Sequence, residues 1–257
     1  MDKNELPIAV IDSGVGGISV LKSLLEVMPN ENYLYFGDSA NAPYGSRSKE
    51  EVLEITRQNL KFLKKSGIKA LVIACNTATS AAVKILREEN PDLIITGIEP
   101  AIKPAALLGG RPRVLVMATP LTLKQEKFIA LAARFEDKAD IIALPCPSLA
   151  ELIEKGEVDS EEIDEYVKKL LEPYKCSDIN AIVLGCTHYP HVRHIIERHA
   201  PKGTRIFDGG EGTARYTRHR LEEKGLLCQS NKKGQVEITN SSKDRKMIEI
   251  SEKLLYK

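Results

Sequence analysis

Two stretches of this sequence end an apolar strand on a cysteine and open a helix directly behind it: VIACNTATSAAV at Val72–Val83, and AIVLGCTHYPHV at Ala181–Val192. In each stretch a short apolar run leads into the cysteine, and two polar residues follow it. The change from an unbroken apolar run to a segment of helical character predicts a buried strand followed by a helix. Cys75 and Cys186 are therefore expected to occupy equivalent positions in two similar parts of the chain.

The composition is that of an ordinary globular chain. Of the 257 residues, 42% are hydrophobic and 28% are charged, which suits two domains of common size. The net charge of +1 gives no electrostatic basis for binding nucleic acid or a membrane surface. We see no apolar run of signal-peptide or membrane-spanning length, so we expect a cytoplasmic protein. The five scattered cysteines are an odd number, and we expect them to be thiols in such a compartment.

Apolar runs of strand length alternate with segments of helical periodicity in the first part of the chain. Ser48 with Glu51 forms a capping box that opens a helix, and Gly67 is the expected stop of that helix. Such alternation is typical of βαβ units, so it predicts an α/β fold with open parallel sheets. The predicted strands here are Ile8–Ile11, Tyr33–Phe36, Ala70–Ala74 and Ile94–Ile98.

The same alternation restarts in the middle of the chain. Two further capping boxes are predicted, Thr122 with Gln125 and Ser148 with Glu151, and the helix behind the second carries Glu154. The first of these boxes is expected to open a helix that runs to about residue 135. The predicted strands of this part are Arg113–Met117, Ile141–Leu144 and Ala181–Gly185.

The spacing of the two parts is similar. Cys75 follows Asp12 by 63 residues, and Cys186 follows Ala118 by 68. We therefore predict two related α/β domains, residues 1–97 with 207–257 containing Cys75, and residues 98–206 containing Cys186. The tail, from Arg205 to a helix near 243–255, could close the first domain or stand alone.

Polar residues cluster where the predicted strands end. In open parallel sheets ligands bind beyond the carboxyl ends of the strands, and Asp12-Ser13, Cys75-Asn76, Thr119 and Cys186-Thr187-His188 all fall there. The turn DSGVGG at Asp12–Gly17 lacks the spacing GxGxxG and any GK[ST]. Its glycines are better explained by a tight strand-to-helix turn than by nucleotide binding.

Three interpretations compete for Cys75 and Cys186. Free cysteines are among the most buried residue types, so both could be structural thiols. Metal ligation is disfavoured because the chain has no C-x₂₋₄-C pair, although Cys186, His188, His191 and Cys146 could be grouped. At the N-terminus of a helix the pKa of a thiol falls from about 8.5 toward neutrality, so both could be reactive. Residue chemistry alone leaves the structural and the reactive interpretations open.

Five motifs together resemble the glutamate racemase family over nearly the whole chain. They are DSGVGG at 12–17, GD at 37–38, PYG at 43–45, ACNTA at 74–78 and GCTHYP at 185–190. The resemblance implies two α/β domains related by a pseudo-two-fold axis, with the active site between them. It also implies a cofactor-independent enzyme that interconverts L- and D-glutamate and supplies D-glutamate for peptidoglycan.

The same resemblance assigns roles residue by residue. Cys75 and Cys186 are the implied acid/base catalysts, assisted by Asp12, His188 and Glu154. Thr119 and Thr122 lie where the family usually carries a Gly-Thr pair, whereas this chain has Ala118-Thr119. The implied substrate-binding residues are Asp12, Ser13, Tyr44, Gly45, Asn76, Thr77, Thr119, Thr187 and His188.

Two alternative functions remain beside the implied one. An aspartate or hydantoin racemase would keep the fold and both cysteines and differ in the side-chain pocket, although DSGVGG and PYG favour glutamate. A non-catalytic binding module would keep the fold, but two intact cysteine motifs argue against it. We expect a small-molecule substrate, no metal, no cofactor, and no nucleic-acid or membrane partner. A homodimer is compatible with the sequence, which does not decide the oligomeric state.

Overall fold

The computed structural model describes residues 3–242 and 244–256. The chain divides into two compact units. The first unit comprises the residues up to Glu99 together with those from Gly210 onward, and the second comprises Pro100–Gly209. Each unit contains one parallel β-sheet, so the predicted α/β fold class is confirmed.

The sheet of the first unit has five parallel strands. They are β1 (Ile8–Asp12), β2 (Tyr33–Gly37), β3 (Ala70–Ile73), β4 (Ile94–Gly97) and β9 (Val236–Asn240), in the order β4-β3-β1-β2-β9. Every residue of β1, β2 and β3 is buried. Parallel strands are covered on both faces, which explains why their sequences are unbroken apolar runs rather than alternating ones.

Among residues 3–242 and 244–256, five α-helices complete the first unit. The capping box at the start of α2 is confirmed, because Ser48 Oγ accepts from the Glu51 N–H and Glu51 accepts from the Ser48 N–H. The tail from Gly210 onward joins this unit, since β9 pairs in parallel with β2, whereas Arg205–Asp208 at the start of the tail is a strand of the second unit. Residue 243, where the last helix was expected to begin, lies outside the described residues. The helices are α1 (Ile18–Val27), α2 (Lys49–Lys64), α3 (Asn76–Glu89), α10 (Gly210–Glu223) and α11 (Lys246–Tyr256).

The second unit has four parallel strands and six α-helices. Its strands are β5 (Arg113–Ala118), β6 (Asp140–Pro145), β7 (Ala181–Leu184) and β8 (Arg205–Asp208), in the order β6-β5-β7-β8. Its helices are α4 (Ile102–Ala106), α5 (Pro120–Lys124), α6 (Glu126–Ala133), α7 (Leu149–Glu154), α8 (Glu161–Leu171) and α9 (Arg193–His199).

The first four strands of each unit are arranged identically. Reading along the sheets, β4-β3-β1-β2 corresponds to β8-β7-β5-β6, and β9 is an addition to the first sheet. Cys75 follows β3 and Cys186 follows β7, so the two cysteines stand at corresponding strand ends. The similarity of the two parts, inferred from the spacing of these cysteines, is therefore present in the topology.

Two of the predicted capping boxes are wrong. The N-cap of α5 is Thr119, whose side chain accepts from the Thr122 N–H, and Gln125 is extended and separates α5 from α6. Ser148 precedes α7 as expected, but its backbone is left-handed (φ 64°) and its side chain makes no capping hydrogen bond. In both places the sequence pattern fits a box, but the backbone conformation required for one is absent.

None of the described helices combines the length and the apolar character needed to cross a membrane.

Candidate active site

The group around Cys75 lies at the carboxyl ends of β1 and β3. Asp12 is the last residue of β1 and is completely buried, and its Oδ1 accepts from the Gly14 N–H at 3.1 Å. Cys75 is 6% exposed and is the N-cap of α3. A Cβ on Gly17 would lie 2.6 Å from the Asp12 Cβ, so the glycine allows the turn before α1 to pack against this carboxylate.

A buried polar cluster holds Tyr44 close to this group. The Tyr44 hydroxyl donates to Asp38 Oδ2 at 2.6 Å, and Asn59 Nδ2 donates to the same oxygen at 2.9 Å. Burial and the Asp38 carboxylate raise the pKa of Tyr44, with smaller contributions from Cys75 and Asp12. Tyr44 therefore stays a protonated hydrogen-bond donor within electrostatic range of the thiol.

The start of α3 offers an unused acceptor beside Cys75. The side-chain oxygen of Asn76 is buried and has no hydrogen-bond partner among residues 3–242 and 244–256. An unpaired buried amide oxygen is costly, which makes this atom a candidate to accept from a bound ligand. Thr77, the next residue, is buried, whereas Ser13 and Gly45 are half-buried.

The group around Cys186 is a linear relay of three side chains. Cys186 Sγ lies 3.5 Å from His188 Nδ1, and His188 Nε2 lies 2.5 Å from Glu154 Oε1. The imidazole is 6% exposed and the Glu154 side chain 21%. A carboxylate on one ring nitrogen fixes the orientation of the ring and directs the other nitrogen at the thiol.

The relay favours the charged form of the histidine. Burial lowers the pKa of His188, but Cys186 and Glu154 outweigh burial and raise that pKa well above its ordinary value. An imidazolium next to sulfur stabilises a thiolate, which is the form of cysteine that acts as a base. The arrangement can therefore accept a proton at Cys186 or supply one from it.

The threonines of the second unit lie at the corresponding sheet edge. Thr119 follows β5 and its Oγ1 lies 2.9 Å from Thr122 Oγ1, so these two hydroxyls are already paired with each other. Thr187 is 3% exposed and lies between the relay's cysteine and its histidine. The predicted residues thus fall into two groups, one in each unit.

Sequence reasoning gave no role to several polar residues near the two groups. Asp38, named only in the GD motif, directly follows β2, and this strand-end position could have identified it as a site residue. Asn59 gave no such signal, because it lies within α2 and reaches the cluster only through tertiary packing. Cys146 follows β6 and is buried, and Tyr189 donates to its carbonyl at 3.3 Å.

Comparison with known proteins gives consistent matches. The family model described as Asp/Glu/Hydantoin racemase matches residues 8–217. A glutamate racemase of Clostridium botulinum (strain Alaska E43 / Type E3) is 48% identical over 255 residues, which is 99% of each chain.

Solved structures give matches of the same kind. A glutamate racemase isoform of Bacillus anthracis is 29% identical, with a TM-score of 0.87, and covers 99% of this chain and 95% of that one. The glutamate racemase of Francisella tularensis in complex with D-glutamate is 27% identical, with a TM-score of 0.83 and the same coverage.

Proposed function

Because this chain belongs to the Asp/Glu/hydantoin racemase family, and within it to the glutamate racemases, we propose that it interconverts L- and D-glutamate by a two-cysteine mechanism. The enzyme is an amino-acid racemase, and its proposed biological role is to supply D-glutamate for peptidoglycan. Cys75 and Cys186 are the proposed bases, one for each face of the α-carbon.

One observation carries this proposal: the two thiols stand at corresponding ends of β3 and β7, and polar side chains lie at the neighbouring strand end in the first unit and beside the thiol in the second. Asp12 lies at the end of the strand next to Cys75, and His188 with Glu154 forms the relay at Cys186. A structural thiol needs no such partners, whereas a thiol that transfers protons does.

The reaction requires one sulfur to take the α-proton and the other to return a proton on the opposite face. One thiol must be ionised and the other protonated, and the two exchange states with each turnover. Each sulfur must come within about 3–3.5 Å of the α-carbon for the proton to be transferred. Stabilisation of the carbanion then comes from proximity and preorganised electrostatics rather than from a cofactor.

The substrate's polar groups have proposed partners in the first unit. Asn76 Oδ1, which is buried and unpaired, is suited to accept from the ammonium group. The N–H groups at the start of α3 are suited to hold a carboxylate. Ser13, Tyr44, Gly45 and Thr77 are proposed to line the same pocket, and Thr119, Thr187 and His188 are proposed for the second unit.

The circular dichroism of added amino acids tests this function directly. We expect the signal of L-glutamate and of D-glutamate to decay to zero, whereas that of L-aspartate persists. Cys75→Ala and Cys186→Ala are the matched controls and should leave every signal constant. A persistent glutamate signal with the unmodified enzyme would refute the proposal. Decay of the aspartate signal alone would identify aspartate as the substrate instead.

A further inference from the structure

The segment between β6 and α7 is held in a conformation that its own sequence does not favour. Ser148 has a left-handed backbone (φ 64°, ψ −10°) directly before α7. A non-glycine residue in this region is strained and persists only where surrounding contacts impose it. α7 has only six residues and is packed through two buried side chains, Leu149 and Ile153, so the segment that leads into it contributes to its orientation.

Two tyrosine hydroxyls donate to backbone carbonyls of this segment. The Tyr166 hydroxyl donates to the Pro147 carbonyl at 2.5 Å, and the Tyr189 hydroxyl donates to the Cys146 carbonyl at 3.3 Å. Tyr166 lies on α8, which is anchored by three fully or nearly fully buried side chains, Ile163, Val167 and Leu171. Tyr166, which makes the shorter of the two hydrogen bonds, therefore lies on a helix that is firmly held by its buried side chains.

The opposite end of α7 reaches the catalytic relay. Glu154 is the last residue of α7, and its carboxylate accepts from His188 when the ring carries a proton on that nitrogen. We propose that Tyr166 is a positioning residue: its hydroxyl fixes the Pro147 carbonyl and the start of α7, so that Glu154 stays against His188. The positioning of Glu154 by Tyr166 does not depend on the proposed function; only the catalytic role of Cys186 rests on it.

The charges around the relay are compatible with this role. Burial, then Cys146 and Glu151, raise the pKa of Tyr166 to about 12, so its hydroxyl remains a donor at neutral pH. Burial and the charge of Cys186 raise the pKa of Cys146 to about 12, and burial likewise raises that of Tyr189. These neighbours stay neutral near pH 7, which leaves Glu154 as the anionic partner that acts on His188 together with Cys186.

Differential alkylation of the full chain tests the proposal without relying on catalysis. Each thiol's rate of reaction with iodoacetamide is measured across a pH series by quantitative mass spectrometry of its peptide. Tyr166→Phe keeps the ring and removes only the hydrogen bond. We expect alkylation of Cys186 near pH 7 to slow by about threefold or more, and the pH profile of its alkylation rate to move to higher pH. The reason is that a less firmly placed Glu154 stabilises the His188 imidazolium less, and the imidazolium in turn stabilises the reactive thiolate less.

Three comparisons make the result specific. Glu154→Gln should shift the Cys186 profile in the same direction. Tyr174→Phe is the matched control, since its hydroxyl makes no hydrogen bond within residues 3–242 and 244–256, and it should change nothing. Cys75, followed in the same samples, should keep its profile in Tyr166→Phe.

Other outcomes would overturn the proposal. An unchanged Cys186 profile in Tyr166→Phe would show that the hydrogen bond does not position Glu154. Equal changes at both thiols, or a fall of several degrees in melting temperature, would show general destabilisation instead. Racemisation is assayed on the same samples, and its absence in the unmodified enzyme would refute the proposed function while the alkylation result would still decide the role of Tyr166.

Discussion

At the scale of single residues, the partners of the two thiols differ in kind. Cys186 has an imidazole backed by a carboxylate, whereas the strand next to Cys75 ends in a carboxylate, Asp12. A neighbouring group of either kind can tune proton transfer by stabilising one protonation state of the sulfur. In the proposed mechanism, the same chemistry at the two thiols is therefore supported by different side chains.

Asp12→Asn and His188→Asn should slow turnover far more than they weaken substrate binding. Asp12→Asn keeps the size of the side chain, whereas His188→Asn shortens it; both keep a polar group but remove the charge that assists proton transfer. We expect kcat to fall on the order of a hundredfold, with KM changed only a few-fold. Steady-state kinetics in both directions measure this, and a raised KM with unchanged kcat would make the residue a substrate clamp instead.

Glu154→Gln should reduce stability in a defined pH range. The pKa of His188 is raised on folding, so the stability that Glu154 contributes is fully present below about pH 6.5 and is lost as the pH rises through the folded-state value. The range also has a lower limit, because carboxylates ordinarily protonate near about pH 4.3. We expect the melting temperature to be lower than that of the unmodified enzyme near about pH 6, with the gap closing at alkaline pH. A difference in melting temperature that stays constant with pH would contradict this coupling between the protonation of His188 and stability.

At the scale of elements, a buried ion pair joins the amino ends of two strands in the first unit. Lys69 precedes β3 and Glu31 precedes β2, and their side chains are 1% and 3% exposed. Lys69 also donates to the Asn4 carbonyl at 2.5 Å, and Glu31 accepts from the Cys228 N–H at 2.8 Å. The pair thus connects the strand that leads to Cys75 with the segment before β9.

Lys69→Met should destabilise the protein strongly because it leaves the Glu31 carboxylate buried without its cation. Loss of one partner of such a pair costs about 3–5 kcal/mol. Replacing both residues by Met should cost less than the single change, since no charge is then left unpaired. Arg57→Met is the control, because the Arg57–Glu89 pair is more than a third exposed and contributes about 0–1 kcal/mol. Urea unfolding followed by circular dichroism gives the comparison, and equal losses for Lys69→Met and Arg57→Met would contradict it.

The elements also show what the sequence could predict. Continuous apolar runs identified the seven predicted strands. Six of them are mostly buried and have no polar face, whereas β6 lies at a sheet edge and is largely exposed, yet still carries the apolar run Ile141–Leu144. The capping-box pattern succeeded at Ser48 but failed at Thr122 and Ser148, where tertiary contacts determine the backbone conformation. The sequence did not identify β9 as a strand and left the placement of the tail open, since the partly exposed residues of β9 give a weaker signal at the edge of the sheet.

The candidate site likewise contains residues that the sequence could predict and residues that it could not. Residues at strand ends, such as Cys75 and Cys186, could be singled out because sheet geometry places ligands there. Asn59 and Tyr166 could not, since each contributes through a hydrogen bond to a residue that only tertiary packing brings near. The roles of the site residues came from the resemblance, and they stay predictions that the variants above test.

At the scale of the whole molecule, the repeated strand order gives each half of the chain one thiol at a corresponding position. A single base serving both faces of the substrate could return a proton to either side. In deuterated water, substrate and product would then both gain deuterium at early times. With two thiols, the base that removes the proton tends to hold it, and the opposite thiol delivers solvent deuterium. The two mechanisms therefore differ in which enantiomer is labelled first.

We expect product to be labelled at once while unreacted substrate stays largely protiated, whichever enantiomer is supplied. The family resemblance implies that Cys75 acts on D-glutamate and Cys186 on L-glutamate. Each direction needs one thiol as base and the other as acid, so Cys75→Ala and Cys186→Ala should each abolish racemisation in both directions. Each variant could still exchange the α-proton of the enantiomer that its remaining thiol serves, without inverting it. Early-time mass spectrometry of both enantiomers measures this labelling. Two results would each exclude the two-thiol mechanism: equal labelling of substrate and product by the unmodified enzyme, and substantial racemisation by either variant.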